Sequence, residues 1–495
     1  MHLLLIIAVL AALAIAEHSS GEPVPDPGLR VMLSVAAMLP APLLAGYIAR
    51  TTVGRLRHGR LPSAVARRLR VWRAIHVLVW LGTAALVLHG LGWVRLIRFN
   101  WGLSALPLAD DVLVLAPVLV PLVLSWAAWY PVEREFLAAT GQSGGTLALP
   151  GRWQYVGVHV RHYLGILLIP VLVLLGAADV TALLFPHVAR QALPAAIYIP
   201  VIVAVAVVFP HVLRHTWSTR PLEGGPLRHR LETLAHKAGF HAREILVWNT
   251  GGLVLNAAVA GILPCLRYVF LSDGLLARLR EEQIEAVFGH EVGHLRYRHL
   301  LWRLVAIVAP LSLGWSLSQL LPEHGTAWLE GMRLGNLGTQ ATMATLAMVG
   351  LLGYMLLVFG PYCRMLEGQA DLFGCRLLGH VQAELPDRAC SHNSPGASLP
   401  VAPPQLPVSG REAPSPPDQH RPAVERYSAA LEGLVAGGVD RDRAGWQHAS
   451  IARRIDFLRQ VANDPQFEQR YHRRLRWVNT LLALAAFSPL AAWLW

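Results

Sequence analysis

Residues 281–296 read Glu-Glu-Gln-Ile-Glu-Ala-Val-Phe-Gly-His-Glu-Val-Gly-His-Leu-Arg. Glu281, Glu282 and Glu285 lie in the first turns of an expected helix, and Arg296, Arg298 and His299 lie near its end. This is the charge order that the helix dipole favours. Within it, His290-Glu291-Val292-Gly293-His294 places two imidazoles at i and i+4. Residues so spaced share one helix face, so both rings can bind a single metal ion. Glu291 sits beside the first of them, where its carboxylate can take a proton from a water attacking a peptide carbonyl. Zinc is the expected metal, because imidazole suits it, it is redox-silent, and it acts as a Lewis acid. Taken alone, the five residues also suit a pair of surface histidines on a solvated helix.

The surroundings of this helix set the fold class. Of 495 residues, 54% are hydrophobic and 15% charged, against about 25% charged in an ordinary soluble domain. The apolar residues fall in long blocks, the pattern of a polytopic helical membrane protein. Spans are expected at 1–16, 31–49, 74–96, 112–129, 163–185 and 195–212, with two further blocks at 301–321 and 341–359 forming a hairpin. Residues 1–16 also fit a signal peptide, although they lack a basic leader segment. The net charge of +12 is almost all arginine, Lys237 being the one lysine. Residues 50–73 hold eight arginines and no acid, so the positive-inside rule assigns that segment to the cytoplasm. The flanking arginines suit lipid contact, and no nucleic-acid motif accompanies them. Cys265, Cys363, Cys375 and Cys390 lie far apart without a CxxC pair, which suits free thiols in a reducing compartment.

Five regions follow: a multi-span region at 1–213, a soluble-like segment with the His-Glu-x-x-His motif at 214–300, the hairpin at 301–362, a second soluble-like part at 363–476, and an apolar C-terminal helix at 477–495. Residues 385–422, rich in Pro, Ser, Ala and Gly, read as a disordered insertion. Short strands are expected at 244–248, 254–259 and 268–271, with Ser272 and Asp273 capping the next helix. Amphipathic helices are expected at 227–238, 424–435 and 446–462.

A catalytic zinc site needs a third protein ligand. His299 is the near candidate, but the metzincin pattern requires Gly and His where Tyr297 and Leu300 stand. A carboxylate from a second helix is the alternative. Residues 363–371, Cys-Arg-Met-Leu-Glu-Gly-Gln-Ala-Asp, place Glu367 and Asp371 on one face with Arg364 a turn before. Glu367 suits a metal ligand and Asp371 an orienting partner for a ligand histidine. An intrahelical salt-bridge array fits the same residues.

Together, His-Glu-x-x-His and Arg-x-x-Glu-x-x-Ala-Asp resemble the integral-membrane gluzincins, the family of HtpX and the type I CAAX prenyl proteases. The resemblance runs over 227–458 and includes Leu255-Asn256-Ala257, the segment Val269 to Leu276, and His448-Ala449-Ser450 with Arg454-Ile455. Ala449 stands where the family has proline, and Cys363 where it has serine. The resemblance implies a gluzincin-type catalytic domain, an active-site helix plus a small β-sheet, at the cytoplasmic membrane face. It implies His290, His294 and Glu367 as ligands of one Zn2+, Glu291 as general base and Asp371 as their support. His448 becomes a candidate oxyanion donor, Arg454 a structural partner of a carboxylate, and Asn256 a candidate for aligning substrate backbone. The expected partners are a protein or peptide substrate and the lipid bilayer, in a bacterial inner membrane. Two rival readings are an intramembrane site-2-type protease, disfavoured by the charges on the motif helix, and a non-catalytic membrane scaffold.

Overall fold

The computed structural model describes residues 2–17, 19, 22–139, 151–185, 194–252, 254–320, 350–351, 353–383, 417–436, 441–442, 445 and 448–489. The chain is mainly helical, with a small mixed sheet. It divides into two units: Met1–Pro221 with Ala242–Asn256 and Ala260–Ala277, and Leu222–His241 with Ala257–Val259 and Arg278–Trp495.

Among the described residues four helices are long and apolar enough to cross a membrane: Pro27–Arg57, Ala64–Gly90, Arg152–Leu184 and His299–Ser316. Leu4–Glu17 and Pro200–Thr216 are apolar but shorter. The first span is broken at Leu39, because Pro40 lacks the amide that would continue the ladder. The helix Ala116–Ala139 packs with Pro27–Arg57 and Ala64–Gly90, burying Ala45, Ile48, Trp80, Val118, Leu122 and Trp126. Two ion pairs, Arg57–Glu135 at 3.0 Å and Arg73–Glu133 at 2.8 Å, tie the arginine-rich segment to this helix.

The first unit also carries sheet strands. β1 (Thr219–Pro221) pairs antiparallel with β2 (Glu244–Trp248), with Arg220 opposite Val247. A further short strand, β3, is Ala257–Ala260, of which Ala257–Val259 belong to the second unit. β4 (Tyr268–Ser272) runs parallel to β2, with Leu246 opposite Phe270. β2 and β4 are buried almost throughout, and Trp217 stacks on Trp248 at 4.2 Å between ring centroids. Such near-continuous apolar runs suit parallel strands covered on both faces. The expected strand at 254–259 starts later, because Asn256 and Ser272 are tied by a backbone bond and by the Ser272 hydroxyl, which accepts from the Asn256 amide at 3.0 Å. The same hydroxyl accepts from Leu275 N at 3.2 Å, so Ser272 caps the following helix as expected.

The second unit is a helical packing. Its members are Pro226–Lys237, Glu281–Arg296, His299–Leu320, Gly360–Ala383, Pro417–Ala436, Ile451–Asn463 and Pro465–Ala486. Ala286, Leu372, Cys375, Tyr427, Leu431, Ile455 and Leu458 form one core cluster. Ala306, Phe359, Tyr362, Leu366, Leu475 and Leu482 form another. Ile455 and Leu458 are at most 1% exposed. Burying each is worth about 1.5–3 kcal/mol, enough to fix the rotation of the helix that carries Arg454.

Two expectations are corrected here. The helix expected at 446–462 starts at Ile451, because the Ser450 hydroxyl accepts from Arg453 N and ends the extended approach; His448 therefore lies in a loop. The insertion expected at 385–422 gives way to helix at Pro417, which occupies the first turn, where proline is tolerated. Residues 385–416, with Cys390, lie outside the described residues, as does most of the block expected at 341–359. Cys363 and Cys375 are buried free thiols, and Cys265 is an exposed one.

Candidate metal centre

The motif helix, Glu281–Arg296, begins where Gln283 Oε1 accepts from Arg280 N at 3.0 Å. It lies along Gly360–Ala383, and glycines set how close the two come. A Cβ on Gly293 would stand 3.0 Å from Ala370 Cα and 3.1 Å from its carbonyl oxygen; one on Gly289 would stand 3.2 Å from Gly374 Cα. Only backbones this close bring the side chains of His290 and His294 onto Glu367 and Asp371.

The ligand atoms converge. His290 Nε2 and His294 Nε2 are 3.1 Å apart, His290 Nε2 is 3.3 Å from Glu367 Oε2, and His294 Nε2 is 3.5 Å from Glu367 Oε1. Donors held 2.0–2.1 Å from one tetrahedral zinc ion stand roughly 3.3–3.4 Å from each other. The observed spacings bracket that value, so the two imidazoles and the carboxylate fit the metal. His290, His294 and Glu367 are the group of metal-ligating type found among the described residues.

Behind this set stands a polar support. Asp371 is fully buried and accepts from His290 Nδ1 at 2.9 Å, Tyr427 Oη at 3.1 Å, Arg454 Nε at 2.8 Å and an Arg454 terminal nitrogen at 2.5 Å. A carboxylate only accepts, so His290 carries a proton on Nδ1, and in the neutral ring Nε2 keeps its lone pair for a metal. Glu367, 3% exposed, meets Arg303 at 2.7 Å through Oε1 and accepts from His448 Nδ1 at 2.9 Å through Oε2. His294 Nδ1 faces His299 Nδ1 at 2.7 Å, and His299 Nε2 lies 3.0 Å from Gln369 Oε1.

The electrostatics follow from these contacts. Burial would raise the Glu367 carboxyl, but His290 and His448 hold it well below the usual carboxylate range. Burial opposes ionisation of Asp371 too, and Arg454 and His290 outweigh it. For His290, burial is outweighed by Asp371, which holds the metal-free imidazole up at about 9. His294 is pushed down, by burial and then by neighbouring His290, which keeps it in the neutral form a ligand requires. Burial pushes the Glu291 carboxyl up.

Every sequence-predicted residue of the site except Asn256, which is in the other unit, is in the second unit, and a chain of contacts runs from His448 through Glu367, His290 and Asp371 to Arg454. Arg303 and Arg454, from other helices, meet Glu367 and Asp371. Arg303, Gln369 and Tyr427 carry no motif, and His299, weighed as a ligand, stands one step behind one. Arg303 had a usable signal: a charge within an apolar helix long enough to span a membrane marks a functional position.

Residues 221–392 match Peptidase family M48. The "Protease HtpX homolog" of Pyrococcus furiosus is 34% identical over 87 residues, and that of Methanocaldococcus jannaschii 33% over 86. Each match covers 17% of this chain, and the chain spans 29% of the length of these relatives. A solved structure, S. mikatae Ste24p, superposes over 88% of this chain and 100% of its own, at 14% identity and a TM-score of 0.40. The family match and the two HtpX relatives bear out the resemblance to the family of HtpX that was read from the motifs.

Proposed function

We propose that this chain is a zinc-dependent endopeptidase that cuts membrane or membrane-proximal proteins. The observation that carries the reading is the convergence of His290 Nε2, His294 Nε2 and the Glu367 carboxylate at the mutual spacing of tetrahedral zinc ligands. Zinc, when bound, supplies Lewis-acid polarisation of the scissile carbonyl and acidifies water.

The chain's own residues supply the rest. Glu291, its carboxyl raised by burial, takes the proton of the attacking water and returns it to the departing amine. His448 is 63% exposed at its side chain and is hydrogen-bonded to Glu367 through Nδ1. In the imidazolium form, in which both ring nitrogens donate, Nε2 is then a donor toward the oxygen of the tetrahedral intermediate. Asp371 fixes the orientation of His290, with Arg454 balancing its charge. We place the site at the cytoplasmic face, on the strength of the arginines at 50–73 and of the apolar span that begins at His299, five residues past His294. Residues 1–213 form the membrane region, and 214–300 with 363–476 the protease domain around the hairpin at 301–362. The substrate is an unfolded or extended segment of protein.

The test is metal content and proteolysis of the purified protein. Wild type binds one zinc per chain and cleaves casein; Glu367→Ala loses the zinc. Glu291→Gln keeps the zinc and loses activity by about 10²–10⁴-fold. Stoichiometric zinc in Glu367→Ala overturns the ligand set, and full casein cleavage by Glu291→Gln overturns the general base.

A further inference from the structure

His290 and His294 are supported differently. His290 donates a hydrogen bond from Nδ1 to a carboxylate, which leaves one possible tautomer of the neutral ring. His294 Nε2 faces Glu367, but its Nδ1 meets no carboxylate among the described residues. Its Nδ1 faces another imidazole nitrogen, His299 Nδ1, at 2.7 Å. One proton lies between two such atoms, and either ring can own it. If His299 owns it, His294 accepts at Nδ1, and its own proton sits on Nε2, the atom that faces Glu367 and His290. A protonated Nε2 cannot bind a metal.

Gln369 decides between the two. Its carbonyl oxygen lies 3.0 Å from His299 Nε2, and an oxygen there accepts only if Nε2 carries the proton. Neutral His299 then has a bare Nδ1, His294 donates to it, and His294 Nε2 is free. A second feature points the same way. Arg298, between the motif helix and the next, has the left-handed φ of 54°. That conformation is strained in a non-glycine residue, and it turns the chain so that His299 returns to His294. His299 is 1% exposed.

We infer that His299 and Gln369 are positioning residues that fix the metal-binding tautomer of His294, as Asp371 does for His290. The inference rests on the zinc reading above. Outer partners of this kind typically change metal affinity by about 10–100-fold.

The experiment is a zinc competition titration against a chromophoric chelator, with the full-length protein in detergent. Gln369→Leu removes the acceptor and weakens zinc binding by about 10–100-fold, while Gln369→Glu, which keeps it, binds at least as tightly as wild type. His299→Asn offers His294 a carbonyl oxygen without needing Gln369, so adding Gln369→Leu to it costs no further affinity. Wild-type affinity in Gln369→Leu overturns the inference. So does equal weakening in Gln369→Leu and Gln369→Glu, which marks a packing effect. Zinc retained by Glu367→Ala would instead overturn the ligand set itself, so the two failures are separable.

Discussion

Replacing Arg454 by alanine tests the support behind the site most directly. Its guanidinium gives Asp371 two hydrogen bonds, at 2.8 and 2.5 Å, and the Asp371 side chain is 0% exposed. After Arg454→Ala the carboxylate keeps only His290 and Tyr427, both neutral donors in the metal-loaded chain. Breaking a buried pair by removing one partner costs about 3–5 kcal/mol. Tyr427→Phe removes a single bond to the same charge and costs about 1.5–3 kcal/mol. Arg454→Lys keeps the charge but not the two-pronged geometry, so it falls between wild type and alanine. The pH dependence has a definite sign. Asp371 is depressed in the folded chain. Its contribution is therefore complete above the unfolded value of about 3.9 and is lost as pH falls through the lower folded value. The gap between wild type and Arg454→Ala is full at pH 7 and narrows toward pH 3. Denaturant unfolding in mild detergent, followed by tryptophan fluorescence at several pH values, measures both. A loss under about 0.5 kcal/mol at neutral pH, where surface substitutions fall, refutes the reasoning, as does a gap that does not change with pH.

Other outcomes follow from the same geometry. Gly293→Ala drives a methyl into the Ala370 backbone at 3.0 Å and costs about 1–3 kcal/mol; zinc affinity falls with it, since the ligands sit on the two helices pushed apart, and a competition titration reads this. Arg298→Gly removes left-handed strain at φ 54° and raises the thermal midpoint, by about 1 kcal/mol of stability at most. His448→Phe leaves zinc content unchanged and lowers kcat by about 10²–10³-fold, measured on a fluorogenic peptide. Arg303→Leu leaves Glu367, 3% exposed, without the cation that meets Oε1 at 2.7 Å; the variant loses zinc more readily on dialysis against a chelator, and Arg303→Lys restores part of the retention.

Legibility in the sequence depended on the reach of each signal. The histidines, Glu291, Glu367 and Asp371 were readable because helix periodicity fixes which residues share a face, and each motif lies within one helix. Ser272 as a cap and the buried strands Glu244–Trp248 and Tyr268–Ser272 were readable for the same reason. Contacts between helices were not. Arg303 and Glu367 are 64 residues apart, and Arg454 and Asp371 are 83 apart; no local pattern pairs them. A local reading offers Arg364 as the cation for Glu367 because it lies one turn away, and it gives no hint of the contacts that Arg303 and Arg454 make from other helices.

The glycines of the motif helix show why such pairings stayed hidden. Gly289 and Gly293 fall inside and just before His-Glu-x-x-His, where they read as tolerated gaps in a helix that each cost about 1 kcal/mol. Their value appears only against Gly374 and Ala370, whose backbones occupy the space a side chain would need. A 16-residue helix that carries two glycines and two ligand histidines is weak by itself. It is held by Phe288, Ile284 and Val292, each at most 2% exposed, whose burial contributes about 1.5–3 kcal/mol apiece. That gain exceeds what the two glycines cost. The close approach they permit is what sets three donor atoms from two helices within 4.8 Å of one another. The apolar half of this helix therefore supplies the stability and the small half the site, and a substitution in either half acts on zinc binding by a different route.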